Sequence, residues 1–180
     1  MKNNFKAFIK EIIPVIVGIL LALWINDWNE TRKDKNYLKQ ITIASNKELT
    51  DTKEDIKANL RLQKSYIDTI DAYSEDKKIS LFDITLKNKG IYIPTIKINS
   101  WKAISNSKIE LLDYEKISAL AMIEEQKEML KMKSMRLVDF LYANSKETGK
   151  DKKEFIKILM LDIIGTEESL QKDISKIISN

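Results

Sequence analysis

The chain has 180 residues, which suits one domain of ordinary size plus a short anchoring segment. It holds no Cys and no His, and this excludes disulfides, thiolate metal sites, the commonest general base and the commonest transition-metal ligand. Charged residues make up 32% for a net charge of only +4, with Lys and acidic residues alternating as on solvated helix faces, and the 4 Gly and 2 Pro favour helix over a turn-rich β fold.

Residues 1–11 form a basic tail carrying Lys2, Lys6 and Lys10, with Phe5, Phe8 and Ile9 at helical spacing. They predict either a short in-plane helix or a frayed end. Ile12–Ile25, IIPVIVGILLALWI, is apolar and free of charge. Its ~14 residues give ~21 Å of helix against a hydrocarbon core of ~30 Å, so the flanks must contribute. Counting from Phe8 to Trp28 gives ~21 residues, enough to span. The Lys10 and Glu11 stems can snorkel toward headgroups. The Ile, Leu and Val residues favour insertion by ~3–6 kcal/mol in sum, which outweighs Gly18 and a Pro14 expected in the first helical turn. A cleaved signal peptide would need small residues around Leu23–Trp28, where the chain is bulky or polar. A buried core helix at this place would have little to pack against. The expectation is an uncleaved transmembrane helix over 8–28.

At the end of the run, Trp24 and Trp28 lie one turn apart, where indoles suit a membrane interface. Arg32, Lys33 and Lys35, with Lys39, are placed to meet lipid phosphates at ~1 kcal/mol each on an anionic leaflet. Trp24, Asn26, Trp28, Arg32, Lys33 and Lys35 are therefore the candidate membrane-interface residues. Asn26, Asp27, Asn29 and Glu30 have the donor types of a hard-cation site, but helix capping and headgroup hydrogen bonding explain them better.

The stretch EIIPVIVGILLALWINDWNETRK resembles the signature of an uncharacterised family of single-pass membrane proteins from Bacteroidota. In that family Glu opens an apolar run containing Val-Ile-Gly-Ile-Leu, which closes in Ile-Asn-Asn-Trp-Asn-Glu followed by Arg. The matching residues are Glu11, Gly18, Ile19, Leu20, Ile25, Asn26, Trp28, Asn29, Glu30 and Arg32. Trp24 stands where the family often has Gln, and Asp27 where it has the second Asn. A weaker similarity covers Ser100–Leu112, SWKAISNSKIELL, without the family's Gly. The resemblance implies a bacterial membrane location and carries no known activity.

Beyond the run, Glu30 to about Ser74 predicts one long helix of ~65 Å. Leu38, Ile41, Leu49, Ile56, Leu60, Ile67 and Ile70 share a narrow, coiled-coil-like face with Tyr37, Tyr66 and Tyr73, interrupted by Ser45, Thr52 and Gln63. Residues 75–112 read as a connector. Its segment Ile91–Ile98 alternates as an extended chain around Pro94, which suits a short hairpin or an irregular run. Ser100 is expected to cap a short helix over Trp101–Ser107, and Asp113 one running to about Asn144. The latter's stripe is Ile117, Leu120, Ile123, Leu130, Leu137 and Leu141. Met122, Met129, Met132 and Met135 beside it fit core packing better than an adaptable partner surface. Asp151 to Glu154 has capping-box spacing. Ile156, Leu159, Ile163, Leu170, Ile174 and Ile177 keep phase across Gly165, which favours one helix over a restart at Thr166.

These readings converge on an all-α protein: a single N-terminal transmembrane helix followed by a long-helix antiparallel bundle over 29–180. Its helices fall near 30–74, 113–144 and 151–178. The expected role is a membrane-anchored, non-enzymatic interaction or scaffold protein, with no cofactor, no metal and no nucleic acid. Its partners would be the lipid bilayer and a protein partner or second copy. The expected location is the bacterial inner membrane, with the helical domain on the periplasmic side. The alternatives are a membrane sensor binding a ligand or partner through residues 79–98, and an enzyme using carboxylates and Lys.

Overall fold

The computed structural model describes residues 2–179, with side chains from residue 10 onward. Regular structure among them is helical throughout: α1 (Lys2–Ala72), α2 (Leu81–Lys87), α3 (Asn99–Ser105), a 3-10 turn (Ile109–Leu111), α4 (Tyr114–Ala143) and α5 (Lys150–Ser179). The chain divides into two compact units, Met1–Thr42 and Ile43–Asn180.

In the first unit the tail's backbone is already helical from Lys2, while the side chains of Lys2, Phe5, Lys6, Phe8 and Ile9 lie outside the described residues. This early start moves Pro14 out of the first turn and well inside the helix. There its missing N–H removes one bond to the carbonyl a turn earlier. The helix also passes through Asn26–Glu30 without ending, so these polar residues have no helix terminus to cap. Its apolar stretch is long enough to cross a membrane, and its large side chains are exposed.

The second unit is built on the later part of α1. Leu49, Ile56, Tyr66 and Ile70 are buried there, and so are Thr52 and Gln63, the polar breaks in the stripe. α5 runs antiparallel to this segment: Lys157 Nζ bonds Asp71 at 2.6 Å, Gln63 meets Glu167, and Gln171 reaches the Lys53 carbonyl. It runs antiparallel to α4 as well, through Lys133–Asp162, Gln126–Asp173 and the Phe140–Phe155 ring pair with centroids 4.7 Å apart. α1 and α4 therefore point the same way. The stripes of α4 (Leu120, Ile123, Leu130, Leu137, Leu141) and α5 (Ile156, Leu159, Ile163, Leu170, Ile174) are buried as their periodicity requires.

The connector is where the expectations need correction. No β-hairpin forms. Ser80 instead starts α2 with a full capping box, its hydroxyl accepting from the Asp83 N–H while Asp83 accepts from the Ser80 N–H. These Ser80 bonds hold the Asp83 carboxyl below the usual carboxylate range. The first α2 amides donate to the Ser145 and Glu147 carbonyls, and the Tyr66 hydroxyl, 2.9 Å from Thr85 Oγ1, ties α2 to α1. Lys89 and Gly90 then take φ of 61° and 112° and turn the chain back.

Residues 91–98 run extended along α1 in the opposite direction, as a strap. Its amides find side chains of the helix instead of another strand: Thr95 N–H donates to Asp55 (2.7 Å) and Lys97 N–H to Thr52 (3.0 Å), followed by Ser100 N–H to Glu48 (3.0 Å). Pro94, Ile96 and Ile98 turn inward, while Thr95 and Lys97 face water. The period-two pattern is real, and a helix face takes the place of the partner strand.

Helix ends shift slightly. α3 opens at Asn99 with Ile98 before it, so Ser100 gives its amide to Glu48 and caps nothing. Asp113 does cap α4, accepting from the Lys116 N–H at 2.7 Å. α5 begins at Lys150, which puts Asp151 inside the first turn and removes the capping box. It continues unbroken through Gly165 to Ser179.

Candidate functional site

Three features stand out from ordinary packing. The first lies on α1 in the 1–42 unit. Trp24 and Trp28 are 67% and 59% exposed, and the Arg32 guanidinium sits over the Trp28 ring, 5.5 Å from its centroid. Helical spacing puts Lys35 on this same side and Asn26 with Lys33 on the opposite one, all of them exposed. Asn26 donates to Glu30 at 3.3 Å, a bond made along the helix surface. The six expected interface residues thus lie on two opposite sides of the helix over about three turns, and not in a single patch. Among the described residues no group of three His, Cys, Asp or Glu side chains is placed to hold a metal ion.

The second is a groove of about 460 Å³ between the strap and α4. Ile93, Pro94 and Ile96 form one wall, and Leu130, Met135 and Val138 the other. Lys127 and Lys131 stand toward one end, Asp139 toward the other. This size and apolar lining fall in the range of small-molecule sites. Met135 lines it, and the α4 methionines are not core: Met122, Met129, Met132 and Met135 are exposed, Met132 by 64%. α4 packs against α5, and its Leu and Ile stripe is the part of it that is buried.

The third joins residues that lie far apart in the sequence. Glu167 and Gln63 are both fully buried. Gln63 Nε2 donates to Glu167 Oε1 (2.8 Å) and to the Tyr92 carbonyl (2.9 Å), which joins α1, α5 and the strap at one point. Gln63 Oε1 and Glu167 Oε2 have no partner. Burial pushes the Glu167 carboxyl up to about 7 despite the Gln63 bond, with the Asp55 and Glu168 charges adding to the rise. Lys153 is fully buried as well. Its ammonium donates to the carbonyls of Tyr73 (2.9 Å) and Asp76 (2.6 Å), where it serves the C-terminal end of α1.

A signal for both was present. Glu167 fills the gap between Ile163 and Leu170 in the α5 stripe, and Lys153 precedes Ile156 by one turn on the same face. The model of a family of unknown function (DUF6090) matches residues 11–103, just over half of the chain, from the apolar part of α1 through the strap to the body of α3. No curated protein and no solved structure matches the chain.

Proposed function

We infer that this chain, which belongs to the family of unknown function (DUF6090), is a membrane-anchored, non-enzymatic helical interaction or scaffold protein. The observation that carries the reading is the apolar run of α1: Ile13–Leu23 exposes its large side chains to the surroundings, while the 43–180 unit buries its own stripes. Water is a costly environment for such a run and a bilayer is not. In this reading α1 passes once through a bacterial inner membrane over 8–28. Trp24, Asn26, Trp28, Arg32, Lys33 and Lys35 then lie at the headgroups, and the exposed Met face of α4 takes up a protein partner or a second copy. The full-length chain should stay with membranes through alkaline carbonate washing. Its release into the supernatant refutes the reading.

The strap groove favours a second reading, a membrane sensor that binds a ligand or partner through residues 79–98, since Ile93–Ile96 form its wall. A ligand that slowed or hastened proteolysis within 91–98 would support it.

A further inference from the structure

We propose that Glu167 is a proton-operated latch on the strap: as a neutral acid it completes a closed joint with Gln63 and the Tyr92 carbonyl, and loss of its proton frees residues 91–98 from α1.

The count of donors and acceptors carries the proposal. Tyr92 presents a carbonyl, which can only accept, so Gln63 must turn its amide nitrogen toward it. Both hydrogens of that nitrogen are then used, one on Tyr92 and one on Glu167 Oε1. What remains is one unpartnered oxygen on each side chain, Gln63 Oε1 and Glu167 Oε2, both buried. Two acceptors without a donor in one buried joint are short of a single hydrogen. A proton on Glu167 Oε2 supplies it and removes the charge in the same step.

Only the Gln63 bond favours the ionised form. From α1 the facing charge is Asp55, and from α5 itself Glu168; both are acidic. The strap offers Tyr92's carbonyl, while that residue's hydroxyl is spent on Lys89. On the α4 side Lys133 reaches Thr166, the residue before Glu167, but its ammonium is paired with Asp162 at 2.7 Å. An anion at 167 must therefore draw in water or part the elements around it. Of those elements the strap yields most easily. α1 and α5 are long helices with internal hydrogen bonds, whereas the strap's amides depend on Asp55 and Thr52 alone. Asp55 holds Thr95 and repels an ionised Glu167 at once, so the same charge that pins the strap makes its release favourable.

Hydrogen exchange of the full chain in non-ionic detergent, corrected for the intrinsic pH dependence of exchange, tests this. Protection of the Thr95 and Lys97 amides should fall about tenfold from pH 6 to pH 8 in the native chain, as a group titrating near the middle of that window requires. It should stay level in Glu167→Gln, which keeps a donor at that position and cannot ionise. Infrared spectra of the native chain give a measurement independent of any variant: a protonated-carboxylic-acid band should be present at pH 6 and lost by pH 8. Protection that does not change with pH, an equal fall in Glu167→Gln, or the absence of the acid band at pH 6 overturns the proposal.

Discussion

A carboxyl that the fold pushes up to about 7 links protonation to stability, and for Glu167 the sign is opposite to that of an ordinary paired acid. An unfolded Glu loses its proton near 4.5, while the folded one keeps it to about 7. Between those values the folded state holds a proton that the unfolded state has lost. Stability therefore falls as pH rises, by up to ~1.4 kcal/mol per unit, and levels off above about 7. Denaturant melts of the detergent-solubilised chain at pH 5, 6, 7 and 8 should show this slope, and Glu167→Gln should remove most of it. Asp173, held low by Lys176 and Gln126, acts the other way and only on the acid side, so it leaves the window clear. Lys153 offers a second check on a buried charge. Lys153→Met keeps the apolar stem but leaves the Asp76 carbonyl without its donor and the Tyr73 carbonyl with the Asp76 N–H alone, at ~1–3 kcal/mol, read as a lower melting midpoint. A melt unchanged in Lys153→Met would mean that water serves those carbonyls equally well.

Two glycines separate helix propensity from turn geometry at the level of elements. Gly165 lies inside α5, and a Cβ built there meets nothing within 4 Å. Gly165→Ala should stabilise by up to ~1 kcal/mol through the unfolded chain's lost freedom. Gly90 also has open space, but its φ of 112° is closed to L side chains, so Gly90→Ala should destabilise by ~1 kcal/mol or more. Opposite signs in paired thermal melts are the expected result; equal signs would deny the continuous helix or the turn. The same contrast shows what was legible beforehand. The stripe keeping phase across Gly165 gave α5 as one helix, and Asp113 marked the start of α4, because both depend on local spacing. The strap's alternation was visible too, but its partner was not: an extended segment looks alike whether it pairs with a strand or lies on a helix. Thr52 and Gln63 read as defects in the α1 stripe because their value comes from Lys97 and Tyr92, far along the chain. The exposed methionines misled for a related reason. Apolar chemistry suits Met to a core, and only the structure shows that the face of α4 carrying these residues is exposed.

For the molecule as a whole the open variable is which way α1 lies in the proposed membrane. Lys2, Lys6 and Lys10 precede the apolar run, and Arg32, Lys33, Lys35 and Lys39 follow it closely. Acidic neighbours such as Asp27, Glu30 and Asp34 count for little in setting topology, so the basic residues on the two sides nearly balance. The length of what must be moved then matters less than it first suggests, because long domains translocate largely regardless of charge. The short segment with its lysines is the one whose charges act at full weight. The expected orientation keeps residues 1–11 in the cytoplasm and delivers residues 43–180 to the other side. A C-terminal alkaline phosphatase fusion should be active, and the matching fluorescent-protein fusion dark. The reverse pair of results would place Arg32, Lys33, Lys35 and Lys39 on the anionic cytoplasmic leaflet, where each adds ~1 kcal/mol of lipid attraction. It would also expose the Met face of α4 and the strap groove to cytoplasmic partners, and the Glu167 latch would then work against a buffered cytoplasmic pH in place of the more variable pH outside.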